Sequence, residues 1–271
     1  MPAQRVFKGK IVIVTGGASG IGRALCLRFG REGARIGALD RDAAGCEVLA
    51  RELAEAGIEA ETRGCDVTDP DQCAAALRAV EARFGGIDVL VNNAGISHRS
   101  LFAKTELSVY KRIMDVNFFG ALHCTKAALD PLLERKGLII VISSIAGFSP
   151  LLGRSGYSAS KYALHGFFET LRCEIAQRGV RVMMVCPGFT ATNIEHNALD
   201  GSGGPAGYPQ SRLGRMSSPE QVADAIYRGA CAGKRLLVLS PLGHLARLVS
   251  RFAPRYYERV ITRRFRAELE R

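Results

Sequence analysis

Short apolar runs alternate with longer segments of helical period along most of the chain. The runs Ile11–Thr15, Arg35–Leu39, Ala60–Gly64, Val89–Asn92, Leu138–Ser143, Val180–Cys186 and Leu236–Leu239 have the length of strands. Ile11–Val14 and Leu138–Ile142 show no polar alternation, as expected of parallel strands covered on both faces. Between these runs, Gly20–Glu32, Ala43–Ala56, Asp71–Phe84, Ser108–Glu134, Tyr157–Gln177 and Pro219–Ala232 read as helices. Thr68-Asp69-Pro70 and Ser218-Pro219-Glu220 place a capping residue just before a proline, a signal for a helix start. Alternating β and α elements predict an α/β fold: one open parallel sheet with helices on both sides, in a single domain over residues 1–241.

Composition narrows the class without changing that picture. The 271 residues are 47% hydrophobic and 23% charged, an ordinary globular balance able to bury a large core. The eight cysteines are scattered and form no CxxC pair, which predicts reduced core residues of a cytoplasmic protein. No apolar run approaches the roughly 20 residues needed to span a bilayer. None of His98, His123, His165 and His196 stands in an HExxH-type spacing, nor does His244, so no metal site is expected. His98 follows the fourth strand and could face a substrate, whereas His123 and His165 are expected to pack on helix faces.

The glycine-rich turn TGGASGIG, Thr15–Gly22, follows a buried strand and opens a helix. Gly16, Gly20 and Gly22 permit a tight turn with close backbone approach, and the helix N-terminus offers amides to a pyrophosphate. Ser19 and Ile21 belong to the same cradle. Asp40, at the end of the next strand, can accept hydrogen bonds from a ribose and would repel a 2′-phosphate, which favours NAD over NADP. Arg41 keeps NADP open, since an arginine at this place could grip that phosphate. Asp66-Val67 and Asn93-Ala94-Gly95 follow the third and fourth strands, at the sheet edge where ligands of such folds bind. Tyr157 and Lys161 share one helical face, and Ser144 closes the fifth strand. A phenol, an ammonium and a hydroxyl form a proton-transfer set, with Lys161 expected to favour the phenolate by its charge.

Taken together, TGGASGIG, Asp66, NNAG, Asn117 in DVNFFG, Ser144, Tyr157-x-x-x-Lys161 and Pro187-Gly188 resemble the short-chain dehydrogenase/reductases, in order from about Lys10 to Leu239. The resemblance implies a Rossmann fold with a doubly wound, seven-stranded sheet, and interconversion of a secondary alcohol and a ketone with NAD(P). It implies that Tyr157 is the general acid/base, that Ser144 holds the substrate oxygen, and that Lys161 bonds the nicotinamide ribose. Asn117 would order a water linking Lys161 to solvent. Asp66 and Val67 would border the adenine, Asn93, Ala94 and Gly95 would wall the cofactor, and Pro187, Gly188, Thr190 and Thr192 would meet its nicotinamide end. A homodimer or homotetramer is implied, packed through the helices around 108–134 and 157–177. A non-redox enzyme on this fold, or a quiet nucleotide-sensing scaffold, stays open as the alternative.

Two segments stand outside those motifs. Residues 189–215, with GSGGPAG, read as a substrate-covering loop or a plain connector. Phe102, Leu151, Leu152, Phe189 and Ile194 are expected to border a hydrophobic pocket, suited to a steroid, retinoid or lipid-derived carbonyl. Residues 242–271 form a basic extension with eight Arg and three Glu, out of a chain net charge of +11. Apolar residues there recur at helical spacing, Arg247, Arg251, Arg255, Arg259 and Arg263 step by four, and Pro254 is expected to divide two helices. Such a tail suits either docking on the body or a partner subunit, or peripheral contact with an anionic membrane. Nucleic acid is not expected, because no aromatic stacking pattern accompanies the charge.

Overall fold

β1 (Ile11–Thr15) occupies the middle of a seven-stranded sheet in which every neighbouring pair is parallel. This computed structural model describes residues 6–192, 194, 197–207 and 216–266. Strand order is β3-β2-β1-β4-β5-β6-β7, with β2 at Arg35–Asp40, β3 at Ala60–Gly64, β4 at Val89–Asn92, β5 at Leu138–Ile142, β6 at Arg181–Cys186 and β7 at Leu236–Val238. The order reverses direction between β1 and β4, which opens a crevice at their carboxyl ends.

Two cores sandwich the sheet. Val12 and Val14 enter one, with Leu25 and Phe29 of α1 (Gly20–Arg31), Leu49 and Leu53 of α2 (Ala43–Glu55), and Val222 and Ile226 of α7 (Pro219–Cys231). Ile11 and Ile13 enter the other, with Leu77 and Val80 of α3 (Pro70–Phe84), Cys124 and Ala128 of α5 (Gly120–Arg135), and Leu164 and Phe168 of α6 (Ser155–Ile175). Alternate residues of one strand thus feed opposite cores, which is why β1 has no polar face. Each such aliphatic side chain contributes about 1.5–3 kcal/mol on burial.

The helix starts follow from local chemistry. Asp69 accepts from the amides of Asp71 (2.9 Å) and Gln72 (3.1 Å), and Ser218 forms a reciprocal capping box with Gln221. The expected continuous helix over 108–134 is in fact interrupted. α4 (Leu107–Met114) runs into a π-helical turn at Asp115–Phe119 before α5 begins. The insertion is legible only in three dimensions: Asn117 is drawn inward to the loop after β4, and Gly120 sits against Val67, where a Cβ would come within 2.7 Å. α6 starts at Ser155, two residues before Tyr157.

After β7 the chain forms α8 (Pro241–Phe252) and α9 (Pro254–Arg264), divided at Pro254. Both pack on the body. The Ser250 hydroxyl donates to the Phe148 carbonyl (3.3 Å), and the Tyr257 hydroxyl donates to the Pro150 carbonyl (3.2 Å). Parts of the segment 189–215 and the last residues of the 242–271 extension, with His196, lie outside the described residues. No helix among the described residues is long and apolar enough to cross a membrane.

Candidate active site

A cavity of about 1270 Å³ runs along the carboxyl edge of the sheet, from Asp40 past the glycine-rich turn to Tyr157 and on beneath α8 and α9. Gly16 (φ 63°) and Gly20 (φ 51°) hold left-handed conformations that side-chained residues resist. At Gly22 a Cβ would lie 1.9 Å from the Gly16 carbonyl oxygen, so this glycine sits under the turn and does not line the cavity. Ser19 makes no capping hydrogen bond, and the first turn of α1 holds no acidic residue. The amides of that turn are thereby left to an anion, with the helix dipole favouring one. Neighbouring side chains brace the turn. Asn93 Nδ2 donates to the carbonyls of Thr15 (2.9 Å) and Gly16 (3.1 Å), while Thr15 Oγ1 accepts from the amides of Asn93 and Ala94, both at 3.0 Å. Asp40 accepts from the amides of Ala18 (3.0 Å) and Asp42 (3.1 Å), which orients its carboxylate at one end of the cavity beside the exposed Arg41. Asp66 and Val67 wall that end, and Thr192 folds back against Gly20. These features fit a dinucleotide: a backbone cradle for the pyrophosphate and a fixed carboxylate for a ribose.

At the other end the polar residues converge. Ser144 Oγ accepts from the Ala146 amide (3.1 Å), and its hydroxyl lowers the pKa of the Tyr157 phenol by hydrogen bonding. Lys161 is buried, its Nζ 5.7 Å from the centre of the Tyr157 ring and donating to the Ile142 carbonyl at 2.9 Å. Asn117 lies behind this group, not on the cavity wall. Its Nδ2 donates to the Ile96 carbonyl and to Ser160 Oγ, both at 2.9 Å, and its Oδ1 accepts from the Ile96 amide at 2.8 Å. The side chain is committed to holding the loop that carries Gly95 against Lys161. A Cβ on Gly95 would lie 3.2 Å from Asn117 Oδ1 and 3.6 Å from Lys161 Nζ.

A half-buried phenol and a buried ammonium at the end of such a cleft have counterparts in known proteins. The family model described as short chain dehydrogenase matches residues 10–202. This chain is a member of the short-chain dehydrogenase/reductase family. It is 36% identical over 269 residues to a Bos taurus protein named "Dehydrogenase/reductase SDR family member 7B", covering 96% of this chain and 83% of that one. It is 33% identical over 262 residues to the "Putative oxidoreductase SadH" of Mycobacterium tuberculosis, covering 94% and 95%. Among solved structures, an alcohol dehydrogenase from Thermococcus sibiricus complexed with 5-hydroxy-NADP superposes with a TM-score of 0.73 at 26% identity, over 85% of this chain and 95% of that one. A Burkholderia phymatum short chain dehydrogenase/reductase in complex with NAD shares the fold at a TM-score of 0.81 and 21% identity, over 90% and 94%. Members of this family are NAD(P)-dependent oxidoreductases.

In this short-chain dehydrogenase/reductase the electrostatics differ from what residue spacing suggests. Burial raises the Tyr157 pKa, while the Ser144 hydroxyl and the charge of Arg154 lower it. Lys161 lies with its Nζ 5.7 Å from the centre of the same ring. Burial pushes its own pKa from 10.5 down to about 8. Arg154 is buried beside the start of α6, and nothing in the sequence marks it. His98 does not line the cavity; it is fully buried with its ring edge-on to Tyr110, and burial lowers its pKa to about 4. His123 bonds the Val67 carbonyl and His165 packs on Phe148. Leu151, Phe189 and Ile194 line the cavity, whereas Leu152 does not and Phe102 is exposed. Leu245, Val249, Tyr257 and Phe265 of the C-terminal helices also line it. Their apolar period was visible in the sequence, but their destination was not. Among the described residues, no group of three or more His, Cys, Asp or Glu is disposed to hold a metal ion.

Proposed function

We propose that this enzyme interconverts a hydrophobic secondary alcohol and its ketone, with NAD(H) preferred over NADP(H). The observation that carries the reading is the Tyr157 phenol, tied to Ser144 and half-buried where the dinucleotide cleft meets an apolar chamber. The bound nicotinamide supplies hydride transfer. Tyr157 exchanges the proton with the substrate oxygen, and Ser144, its lone pair held by Ala146, donates a neutral hydrogen bond to that oxygen as charge develops. Arg154 keeps the phenol from drifting too far up in pKa as water is excluded. Lys161, held by the Ile142 carbonyl, presents its remaining donors to the nicotinamide ribose. Asn117 positions the loop opposite.

Asp40 supports the NAD preference, because two backbone amides hold its carboxylate where an adenosine ribose would lie. The name of the Thermococcus sibiricus relative, an alcohol dehydrogenase, agrees with the reaction, and its 5-hydroxy-NADP is the observation on the side of NADP. Ile145, Leu151, Phe189, Leu199, Val249 and Phe265 in the chamber favour a steroid, retinoid or lipid-derived carbonyl. Phe119 at the end of the π turn before α5, with Tyr162 and Phe167 on α6, all exposed, support assembly into a homodimer or homotetramer through α5 and α6. The test is a panel of alcohols and ketones graded in size and polarity, followed by nicotinamide absorbance with both cofactors. The expected result is turnover of the apolar members by the native enzyme and a loss of about 10²–10⁴-fold in Tyr157→Phe, with NADH binding retained. A Tyr157→Phe protein of near-native activity would refute the mechanism.

A further inference from the structure

The outer faces of α8 and α9 have no part in the chemistry described above. Helical spacing sets Leu242, Leu245, Leu248 and Phe252 on one stripe of α8, turned away from Gly243 and Ser250, which face the body. The stripe faces solvent: Leu245 and Leu248 are each 57% exposed and Phe252 78%. Tyr256 and Val260, 63% and 43% exposed, continue it on α9. Leu242, Leu245, Tyr256 and Val260 also line the cavity, so this apolar patch is the rim of the pocket's mouth. Exposed large side chains gathered in one place mark an interaction surface.

Charge identifies what covers it. Arg251 flanks the stripe on α8, and Arg255, Arg259 and Arg263 follow on α9, all of them exposed, while Arg247, also exposed, lies toward the body with its guanidinium 6.0 Å from the centre of the Phe148 ring. Against them α8 and α9 carry a single acid, Glu258. Two copies of the chain meeting through this face would oppose arginine to arginine with one acid each to answer them, which disfavours self-association there. An anionic surface that also accepts apolar side chains answers both features, and a bilayer with acidic headgroups is such a surface.

We propose that the α8–α9 pair docks on an anionic lipid surface, with its apolar stripe in the acyl boundary, its arginines among the phosphates, and the pocket mouth turned to the bilayer. Docking is independent of the reaction. The corollary, that the substrate is taken up from the membrane, rests on the oxidoreductase reading above.

The experiment is vesicle flotation of the whole 271-residue chain, using phosphatidylcholine vesicles and vesicles of mixed phosphatidylcholine and phosphatidylserine. Binding is expected to the phosphatidylserine vesicles only, and to weaken as salt is added. The double variant Leu248→Glu/Phe252→Glu should lose flotation while keeping its circular dichroism and NADH binding, since neither residue lines the cavity. If that variant fails to fold, Arg251→Ala/Arg255→Ala carries the test, with an expected loss of about 25-fold in partitioning, roughly fivefold per charge. The proposal is overturned by absence of flotation at low salt or by equal flotation of the folded variants. A concentration-dependent dimer that the same substitutions dissociate, with vesicles ignored, also overturns it. Because flotation needs no turnover, its failure would leave the assigned reaction standing, and an inactive protein that floats would leave the docking standing.

Discussion

Replacing Lys161 by methionine tests whether the fold bears a cost to keep a buried ammonium in the active site. Lys161 is 4% exposed, and its Nζ donates to the Ile142 carbonyl. Burial lowers its pKa from 10.5 to about 8. At about 1.4 kcal/mol for each pH unit, the difference amounts to roughly 3.5 kcal/mol. Below about pH 8 both the folded and the unfolded chain carry the proton, and the folded state bears the full desolvation cost. Between about 8 and 10.5 the unfolded chain still binds a proton that the folded one has shed, so folding gains stability as pH rises. Above 10.5 neither state carries it and the gain is complete. The assay is urea unfolding of both proteins, without nucleotide, at a series of pH values. Other titrating groups cancel to first order in the difference between the two proteins. The native protein should therefore gain about 3 kcal/mol on Lys161→Met from about pH 7 to about pH 11. At neutral pH the methionine variant should be the more stable by about 1–2 kcal/mol, after allowing about 1.5 kcal/mol for the lost hydrogen bond, and it should be inactive. A difference that stays flat with pH would refute the reasoning, because it would mean that the folded protein leaves Lys161 its ordinary pKa.

Arg154→Met removes a cation that lowers the Tyr157 pKa, so the rise of alcohol oxidation with pH should move to higher pH; an unmoved profile would leave that role to Lys161. Asp40→Ala should raise NADP use relative to NAD by about tenfold, roughly one good hydrogen bond, in competition kinetics with both cofactors. An unchanged ratio would remove Asp40 from cofactor selection. Gly22→Ala forces a Cβ into the Gly16 carbonyl, and should cost about 1–3 kcal/mol in urea unfolding and weaken NADH binding measured by fluorescence.

Most of the architecture was legible in the order of residues because it depends on period and local chemistry. Ile11–Val14 of β1 and the whole of β5 are apolar because each alternate residue feeds a different core, and that leaves a signature in the sequence itself. Asp69 and Ser218 announce their helices because capping is a contact over two or three residues. The glycines of the phosphate turn are equally local, since a left-handed φ is a property of one residue. What the sequence concealed depends on distance along the chain. The π turn at Asp115–Phe119 exists to carry Asn117 to Ile96, a partner 21 residues earlier, and helical periodicity carries no mark of that demand. Arg154 lowers the Tyr157 pKa through space and matches no motif.

The pattern of apolar and polar positions, then, already determined the sheet and its helices, and the local glycine motif its first βα turn. Only the tertiary structure decided that a second cation, Arg154, acts on the phenol, and that the basic tail closes over the pocket and rims its mouth. Local rules act between neighbours in sequence, whereas electrostatic fields and pocket walls are made by residues that meet only once the chain has folded.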